Sequence, residues 1–406
     1  MSFGELWAEL LPVGRDESTG GYRRYSWTEP DAACRDWFTR TAASLGLQTE
    51  CDGNGNLWAW WGKPGDGAGP AIVTGSHLDS VPDGGAFDGP LGIVSAFAAI
   101  GQLRQDGFHP ARPLGVAAFT EEEGSRFGVA CLGSRLLAGA VDPAVGRDLR
   151  DQDGVSLADA MRAAGRNPAL LGPDEDLLAA IGAYVELHIE QGSMLDGLGA
   201  PVGVADGIWP HGRWRLDFTG RADHAGTTRL PDRRDPMLPF AATALAARQA
   251  ATDCGALATF GKVIAEPGAA NAISSSVHAW LDARAPEASV LQAVVEAVSE
   301  AAAEAAAVHG VGFELRQESF TPLVSFDPVL RDRIGEVLTA AGRPPPVLPT
   351  GAGHDAGILA ARIPTAMLFV RNPTGVSHSP AEHAEPADCE AGVAALAAVL
   401  ADLAGR

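Results

Sequence analysis

Short apolar runs alternate with a helical pattern through the first half of the chain. Ala71–Gly75, Pro113–Thr120 and Tyr184–Ile189 each predict a buried strand, and each run is followed by polar residues. Leu91–Leu103 is rich in Ala, Ile and Phe and predicts a helix between the first two strands. Strands that alternate with helices indicate an α/β domain with a largely parallel sheet. In such a sheet, functional side chains lie just beyond the carboxyl ends of the strands.

The spacing of polar and apolar residues changes in the middle of the chain. Arg213–Phe218 and Ser276–Arg284 alternate polar and apolar residues, which is typical of a sheet with one exposed face. Pro236–Ala251 and Glu287–Val308 are rich in alanine and predict helices beside these strands. We therefore expect a smaller α+β domain, inserted at about Gly207–Thr321.

The last part of the chain resumes the helix–strand–helix pattern. Asp327–Gly342 and Cys389–Leu403 predict helices, and Ile363–Val370 between them predicts a strand. This part is expected to return to the first domain. The predicted division is residues 1–206 and 322–406 as one catalytic domain, with residues 207–321 inserted. A chain of 406 residues fits two domains better than a single core.

Composition and charge narrow the class of protein. A hydrophobic fraction of 46% allows a large core, and a net charge of −21 argues against nucleic acid and anionic membranes as partners. The five cysteines are widely spaced, which predicts reduced thiols rather than disulfides or a Cys-based metal site. No apolar run reaches the roughly 18 residues of a membrane span, and Met1–Leu11 lacks the basic start of a signal peptide. We expect a cytoplasmic protein.

The strongest chemical signal follows the first predicted strand. His77, Asp79 and Asp88 lie close together in a segment whose glycines let the backbone turn these side chains towards one point. Imidazole and carboxylate together suit Zn²⁺, Mn²⁺, Co²⁺ or Ni²⁺. We expect His77 to bind one ion, Asp88 to bridge two, and Asp79 to hydrogen-bond the second nitrogen of His77. Taken alone, one histidine and one aspartate favour a solvated turn with a core histidine, but the acids and histidines described below argue against that interpretation.

Three consecutive acids, Glu121, Glu122 and Glu123, follow the second apolar run. Metal-assisted hydrolysis needs a carboxylate ligand and a separate carboxylate that takes a proton from the attacking water. We assign Glu122 as the general base and Glu123 as a metal ligand. The alternative is an acidic helix N-terminus favoured by the macrodipole, and the two interpretations do not exclude each other.

Two further histidines complete a set of metal ligands. His188 lies among Leu and Ile, where a histidine is usually a satisfied core group, and His378 lies between small polar residues in a predicted loop. With His77, Asp88 and Glu123 they supply five ligands, one of them bridging, for two divalent ions. Each ion then has three protein ligands, which leaves positions for water and substrate, as a catalytic site requires.

These motifs resemble the amidase, hydantoinase and carbamoylase group of the aminoacylase/carboxypeptidase-like di-metal superfamily, whose members hydrolyse N-carbamoyl-L-amino acids, allantoate or β-ureidopropionate. The similarity runs from about Tyr22 to Pro386 and keeps the family order of motifs. A histidine at the position of His188 marks the ureido-hydrolysing branch, since the peptidase relatives usually have an acid there. Thr350 departs from the serine of many relatives but has a similar side chain. The segments that carry the resemblance are Ser76–Pro90, Glu122–Phe127, Glu186–Gly192, Asp223–Thr228, Gly351–Ala356 and Ser377–Pro380.

The resemblance implies a fold and an assembly. The catalytic domain would be a metal-binding α/β sandwich with a mixed, mostly parallel sheet, and the inserted α+β domain would act as a lid and form a homodimer. His224 would polarise the scissile carbonyl, Asn271 and Arg284 would hold the substrate carboxylate, and Gln191 and His354 would also contact substrate. A guanidinium suits this role because it pairs with a carboxylate in a bidentate manner. Taken singly, Asn271 is equally well a turn residue and Arg284 a charge on a strand face.

The predicted reaction is metal-dependent hydrolysis of the carbamoyl (ureido) C–N bond of a small carboxylate, an N-carbamoyl-L-amino acid or allantoate, with release of ammonia and carbon dioxide. Glu122 takes the proton of the attacking water, and His224 stabilises the oxyanion. A di-metal dipeptidase or N-acyl amino acid deacylase is the nearest alternative, and a non-catalytic dimeric binding protein is another. The sequence leaves open which ureido compound and which metal are used.

Overall fold

The structure is a computed structural model and describes residues 1–65 and 69–405. The chain divides into two compact units, Met1–Gly207 with Ser325–Arg406, and Ile208–Val324. The predicted boundaries of the insertion, 207 and 321, differ from these by one residue and three residues. The difference at the end arises because the chain leaves its last long strand at Thr321 but returns to the first unit only at Ser325.

Helices and strands alternate along most of the chain. The helices are α1 Phe3–Leu10, α2 Glu29–Ser44, α3 Pro90–Gln105, α4 Leu132–Leu137, α5 Pro143–Asp148, α6 Leu157–Ala163, α7 Glu175–Ala179, α8 Met194–Leu198, α9 Met237–Cys254, α10 Ala288–His309, α11 Pro328–Ala340, α12 Asp355–Leu359 and α13 Pro386–Ala404. The strands are β1 Gln48–Cys51, β2 Leu57–Trp61, β3 Ala71–His77, β4 Leu114–Phe119, β5 Ile181–Ile189, β6 Val202–Ile208, β7 His211–Thr219, β8 Asp223–His224, β9 Leu257–Glu266, β10 Ala272–Ile273, β11 Ser276–Arg284, β12 Gly312–Thr321, β13 Val324–Ser325, β14 Val347–Thr350 and β15 Thr365–Val370. Short 3₁₀ turns lie at Pro168–Leu170 and Leu230–Asp232.

The first unit is built on a nine-stranded mixed sheet with the strand order β1-β2-β4-β3-β5-β15-β6-β13, in which β14 also pairs with β6. The central strands β4, β3, β5 and β15 run parallel to one another. The pairs β1–β2, β2–β4 and β15–β6 are antiparallel. The predicted mixed sheet is therefore confirmed, and its parallel part is the centre, where the predicted apolar runs lie.

Both faces of this sheet are covered, so β3, β4 and β15 are buried at every position. Helices α1, α2, α3, α11 and α13 share one core with side chains such as Ile72, Val185 and Leu368. Glu186 alternates to the opposite face, where its carboxylate accepts a hydrogen bond of 2.9 Å from the backbone N–H of Ala356 in α12. Helices on both faces of a sheet make the α/β sandwich that was predicted, and that fold class is confirmed.

Close contact between β3 and β4 depends on a glycine near the end of β3. A Cβ at Gly75 would lie 2.0 Å from the backbone oxygen of Ala117 on the neighbouring strand. A side chain there would force β3 and β4 apart. Gly75 therefore allows β3 to stay close to β4 as far as the end of β3 at His77.

The inserted unit has a four-stranded antiparallel sheet with the order β12-β7-β11-β9. In β11 every second residue is buried, and Val277, Leu281 and Ala283 among them share a core with side chains of α10 such as Leu291 and Val294. The alternating pattern therefore predicts β11 with its correct bounds. The edge strands β9 and β12 are exposed at most positions, and this weak pattern did not indicate strands.

None of the five cysteines forms a disulfide bond, and Cys34, Cys131 and Cys389 are buried. Within residues 1–65 and 69–405, the helices lack the combination of length and apolar character that crossing a bilayer requires.

Candidate metal centre and active site

The predicted metal ligands and the predicted base collect at the carboxyl ends of the central parallel strands. His77 is the last residue of β3, and His188 is the last but one of β5. Glu122 and Glu123 come just after β4, and Asp88 lies in the loop between β3 and α3. Because parallel strands end at one edge of a sheet, side chains far apart in sequence meet there.

Asp88 lies between two groups of potential metal ligands, with one carboxylate oxygen facing each. Oδ1 of Asp88 lies 3.2 Å from Nε2 of His188 and 3.6 Å from Nε2 of His77. Oδ2 lies 3.4 Å from Nε2 of His378, and that nitrogen lies 3.6 Å from Oε2 of Glu123. Within each group the ligand atoms lie within 4.8 Å of one another. The structure thus brings the five predicted ligands together around one shared carboxylate.

The donor set of these two groups fits divalent metal ions. Oε1 of Glu123 is buried and lacks a hydrogen-bond partner among the described residues, a costly state unless another group satisfies it. Two imidazoles with a carboxylate, or one imidazole with two, suit Zn²⁺ and related transition ions. Gly89 leaves room for the ring of His77, since a Cβ there would lie 2.4 Å from Cε1 of that ring.

Backbone carbonyl groups orient the two buried histidines. Nδ1 of His77 lies 3.1 Å from the carbonyl oxygen of Asp79, and Nδ1 of His188 lies 2.9 Å from that of Ile189. With Nδ1 facing an acceptor, Nε2 is the nitrogen left to bind an ion. The carboxylate of Asp79 is also near, with Oδ1 at 3.5 Å from Nδ1 of His77, although the carbonyl oxygen is the closer group.

Asp79 has a second role, which the sequence pattern did not indicate. Its Oδ1 accepts the backbone N–H of Glu122 at 3.2 Å, and its Oδ2 accepts that of Glu123 at 3.1 Å. One carboxylate thus connects the loop after β3 to the loop after β4. This connection fixes the predicted base and a predicted ligand relative to His77.

Glu122 is buried beside the ligand set but lies outside both groups. Its Oε2 lies 3.7 Å from Nε2 of His77, and its Oε1 accepts a hydrogen bond from the thiol of Cys131 at 3.2 Å. Burial raises the pKa of the Glu122 carboxyl well above its ordinary value, against the opposing effect of His77, and the nearby Asp355 and Glu123 raise it further. A buried carboxylate of raised pKa next to a ligand set is the arrangement that a general base requires.

Glu382 is part of the site, although no sequence pattern singled it out. It is buried, and its Oε2 accepts the backbone N–H groups of Phe87 and Asp88, both at 2.9 Å. Burial raises the pKa of Glu382 to about 7, and the charge of Asp88 acts in the same direction. Glu382 therefore holds the backbone of the residue that both ligand groups share.

Gln191 and His354, predicted to contact substrate, lie against the ligand set. Nε2 of Gln191 donates to Oδ2 of Asp88 at 2.9 Å and to Oγ of Ser377 at 3.1 Å. The ring of His354 packs edge-on against that of His188, with centroids 4.5 Å apart. Burial, helped by the charge of His188, lowers the pKa of His354 well below its ordinary value.

The other predicted substrate residues lie in the inserted unit. His224 is exposed in β8, which pairs with β10, and its neighbour Ala225 donates a backbone hydrogen bond of 3.0 Å to the carbonyl of Asn271. Arg284 is the last residue of β11, and its Nε lies 2.8 Å from Oδ1 of Asp282. Asn271 precedes the start of that nine-residue strand, which is roughly 27 Å long at about 3.3 Å per residue. The structure brings His224 close to Asn271 and places Arg284 at the far end of β11.

Comparison with known proteins finds relatives along nearly the whole chain. The model of peptidase family M20/M25/M40 matches residues 73–402. An N-carbamoyl-L-amino acid amidohydrolase of Geobacillus stearothermophilus is 36% identical over 398 residues, which cover 96% of this chain and 96% of that protein. Allantoate amidohydrolase of Escherichia coli strain K12 is 32% identical over 412 residues, covering 99% and 98%. Ureidoglycolate hydrolase of Arabidopsis thaliana is 33% identical over 403 residues, covering 96% and 83%.

Solved structures share the fold. A crystal structure of an amidase of the hydantoinase/carbamoylase family from Burkholderia vietnamiensis matches with a TM-score of 0.88 and 30% sequence identity, and the match covers 100% of this chain and 97% of that one.

Proposed function

The chain belongs to peptidase family M20/M25/M40, among its hydantoinase/carbamoylase amidases, and from that premise we propose that it hydrolyses the ureido C–N bond of a small carboxylate. The observation that carries the proposal is Asp88, with potential metal ligands on both sides and Glu122 beside them. The three relatives compared above are named for N-carbamoyl-L-amino acids, allantoate and ureidoglycolate. All three substrates are carboxylates that bear a ureido group, which supports the same class here.

Two divalent ions form part of the proposal. His77, Asp88 and His188 would hold one ion, and Asp88, Glu123 and His378 would hold the other. Ions bound there would lower the pKa of a water molecule and polarise the carbonyl group of the substrate. Zn²⁺, Mn²⁺, Co²⁺ and Ni²⁺ all suit this ligand set.

Glu122 has the central role in proton transfer. Its carboxylate accepts the proton of the attacking water and returns it to the nitrogen that leaves the carbonyl carbon. Its burial removes the hydration that weakens a solvated carboxylate as a base. Hydrolysis of R–NH–CO–NH₂ in this way gives the amine R–NH₂ and carbamate, and carbamate decomposes to ammonia and carbon dioxide.

Hydrogen-bond donors would stabilise the oxyanion and orient the substrate. We assign oxyanion stabilisation to His224, and substrate contacts to Gln191 and His354. Asn271 and Arg284 would bind the substrate carboxylate. Because Asn271 precedes β11 and Arg284 is the last residue of that strand, a site shared by two copies of the chain is the arrangement that the proposal favours. The homodimer and the cytoplasmic location belong to this proposal.

A substrate panel tests the proposed function. Purified enzyme reconstituted with Mn²⁺ or Zn²⁺ is incubated with allantoate, ureidoglycolate, N-carbamoyl-L-amino acids, N-carbamoyl-β-alanine, an N-acetyl amino acid and a dipeptide. Ammonia and free amine are measured separately, because only ureido cleavage releases both. We expect kcat/KM for at least one ureido compound to exceed that for the dipeptide by about 100-fold or more, since a buried polar site rejects a substrate that leaves its groups unpaired.

The alternatives have distinct outcomes. Turnover of the dipeptide or the acetylated amino acid alone would assign the protein to the dipeptidase or deacylase class. Binding of ureido compounds without turnover, with both ions present, would indicate a binding protein.

A further inference from the structure

The carboxylate of Glu122 has a second neighbour besides His77. The thiol of Cys131 donates a hydrogen bond of 3.2 Å to Oε1 of Glu122, while Oε2 is the oxygen that lies 3.7 Å from Nε2 of His77. Each oxygen of the base therefore has its own neighbour, and the two neighbours lie on different elements. Cys131 is 3% exposed, so water does not compete for this contact.

The backbone around Cys131 holds the thiol in this place. The N–H of Cys131 donates to the carbonyl of Glu122 at 2.6 Å, and the N–H of Leu132 donates to the carbonyl of Glu121 at 3.0 Å. Two backbone hydrogen bonds thus join the start of α4 to the loop after β4, which carries Glu122. Cys131 has a left-handed backbone with φ of 54°, a conformation that is uncommon for residues with a side chain. The thiol contact therefore rests on two backbone hydrogen bonds and a defined backbone conformation.

Resting on the proposed function, we infer that Cys131 is a positioning residue for the general base: its thiol fixes the rotamer of Glu122 so that Oε2 faces the attacking water. A carboxylate on two flexible carbons has several rotamers, and only one of them presents an oxygen to the reaction. Misplacement of a catalytic group by about 1 Å can cost up to about 100-fold in rate.

The thiol is suited to this role because it stays a donor. Burial, with the neighbouring charge of Glu122, raises the pKa of Cys131 well above its ordinary value, so the S–H group is intact at neutral pH. A thiol is a weak donor. It can therefore orient the carboxylate without lowering its basicity as strongly as a charged partner would.

Three substitutions at this position separate the thiol contact from packing and backbone effects. Cys131→Ala and Cys131→Gly both remove the donor, and glycine in addition suits the left-handed backbone. Cys131→Ser keeps an O–H donor. Cys389→Ala, which removes a buried thiol from α13, is the matched control. For each variant we would measure kcat, KM, bound metal and thermal unfolding with the best substrate of the ureido panel.

We expect kcat to fall about 10-fold in the alanine and glycine variants, and to return to within about 3-fold of wild type in the serine variant. KM and metal content should not change, and Cys389→Ala should match wild type. Glycine serves as the second donor-free variant if alanine does not fold. Wild-type kcat in the glycine variant, a serine variant as slow as glycine, or a loss that follows metal content would overturn the inference. Failure of the wild type on every ureido compound would instead refute the proposed function.

Discussion

Glu122→Gln is expected to lower kcat by about 1,000-fold or more while both metal ions remain bound. Glutamine has nearly the same shape as glutamate, so the packing around Cys131 and His77 is kept, but an amide cannot accept the proton of the attacking water. General acid–base catalysis contributes about 100- to 10,000-fold to enzymatic rates, and Glu122 is proposed to act in both proton transfers. Steady-state kinetics on a ureido substrate, with metal content measured on the same samples, tests this expectation.

Glu122→Asp is the matched comparison, because it keeps the carboxylate but withdraws it by one methylene. We expect this variant to retain more activity than Glu122→Gln, with unchanged metal content. If the glutamine variant keeps near-full activity, another group is the base. If it loses its ions together with its activity, Glu122 is a ligand and the roles assigned to Glu122 and Glu123 must be exchanged.

Asp88→Asn is expected to empty both ion sites, whereas His378→Ala is expected to empty one. The reason is that Asp88 supplies one oxygen to each ligand group, while His378 belongs only to the group that contains Glu123. An amide lacks the negative charge that both ions would share. Turnover should fall by about 1,000-fold or more in Asp88→Asn, because activation of both the attacking water and the substrate carbonyl depends on bound ions.

Metal analysis of dialysed protein decides between these outcomes. Wild type should hold two ions per chain, His378→Ala one, and Asp88→Asn fewer than one. If both variants lose the same number of ions, the two ions do not bind independently at the two ligand groups. Retention of two ions in Asp88→Asn would show that this carboxylate does not bridge.

Part of the site could be predicted from sequence because apolar runs mark where the central strands end. His77, Glu123 and His188 each lie at or just beyond an apolar run, and the central parallel strands bring such positions to one edge of the sheet. His378 follows β15 by several residues in a loop, so no periodic pattern marks it. It entered the predicted ligand set because it lies between small polar residues and, with His188, completes the ligands for two ions.

The residues that support the ligands could not be predicted in the same way. Glu382 and Phe87 lie 295 residues apart, and their contact exists only once the loops before α13 and before α3 are packed together. The contact of Cys131 with Glu122 depends on a left-handed backbone at a residue other than glycine. Long-range packing and single backbone conformations leave no periodic trace in a sequence. The same holds for the exposed edge strands β9 and β12, whose side chains face solvent at most positions.

The most direct test of the central claim is a titration of metal into chelator-stripped enzyme, with ammonia release from the best ureido substrate as the readout. We expect no ammonia release from the stripped enzyme, and a rate that rises with added ion and reaches its maximum at two ions per chain. Sustained ammonia release from enzyme shown to be free of metal would contradict the proposed two-metal hydrolysis.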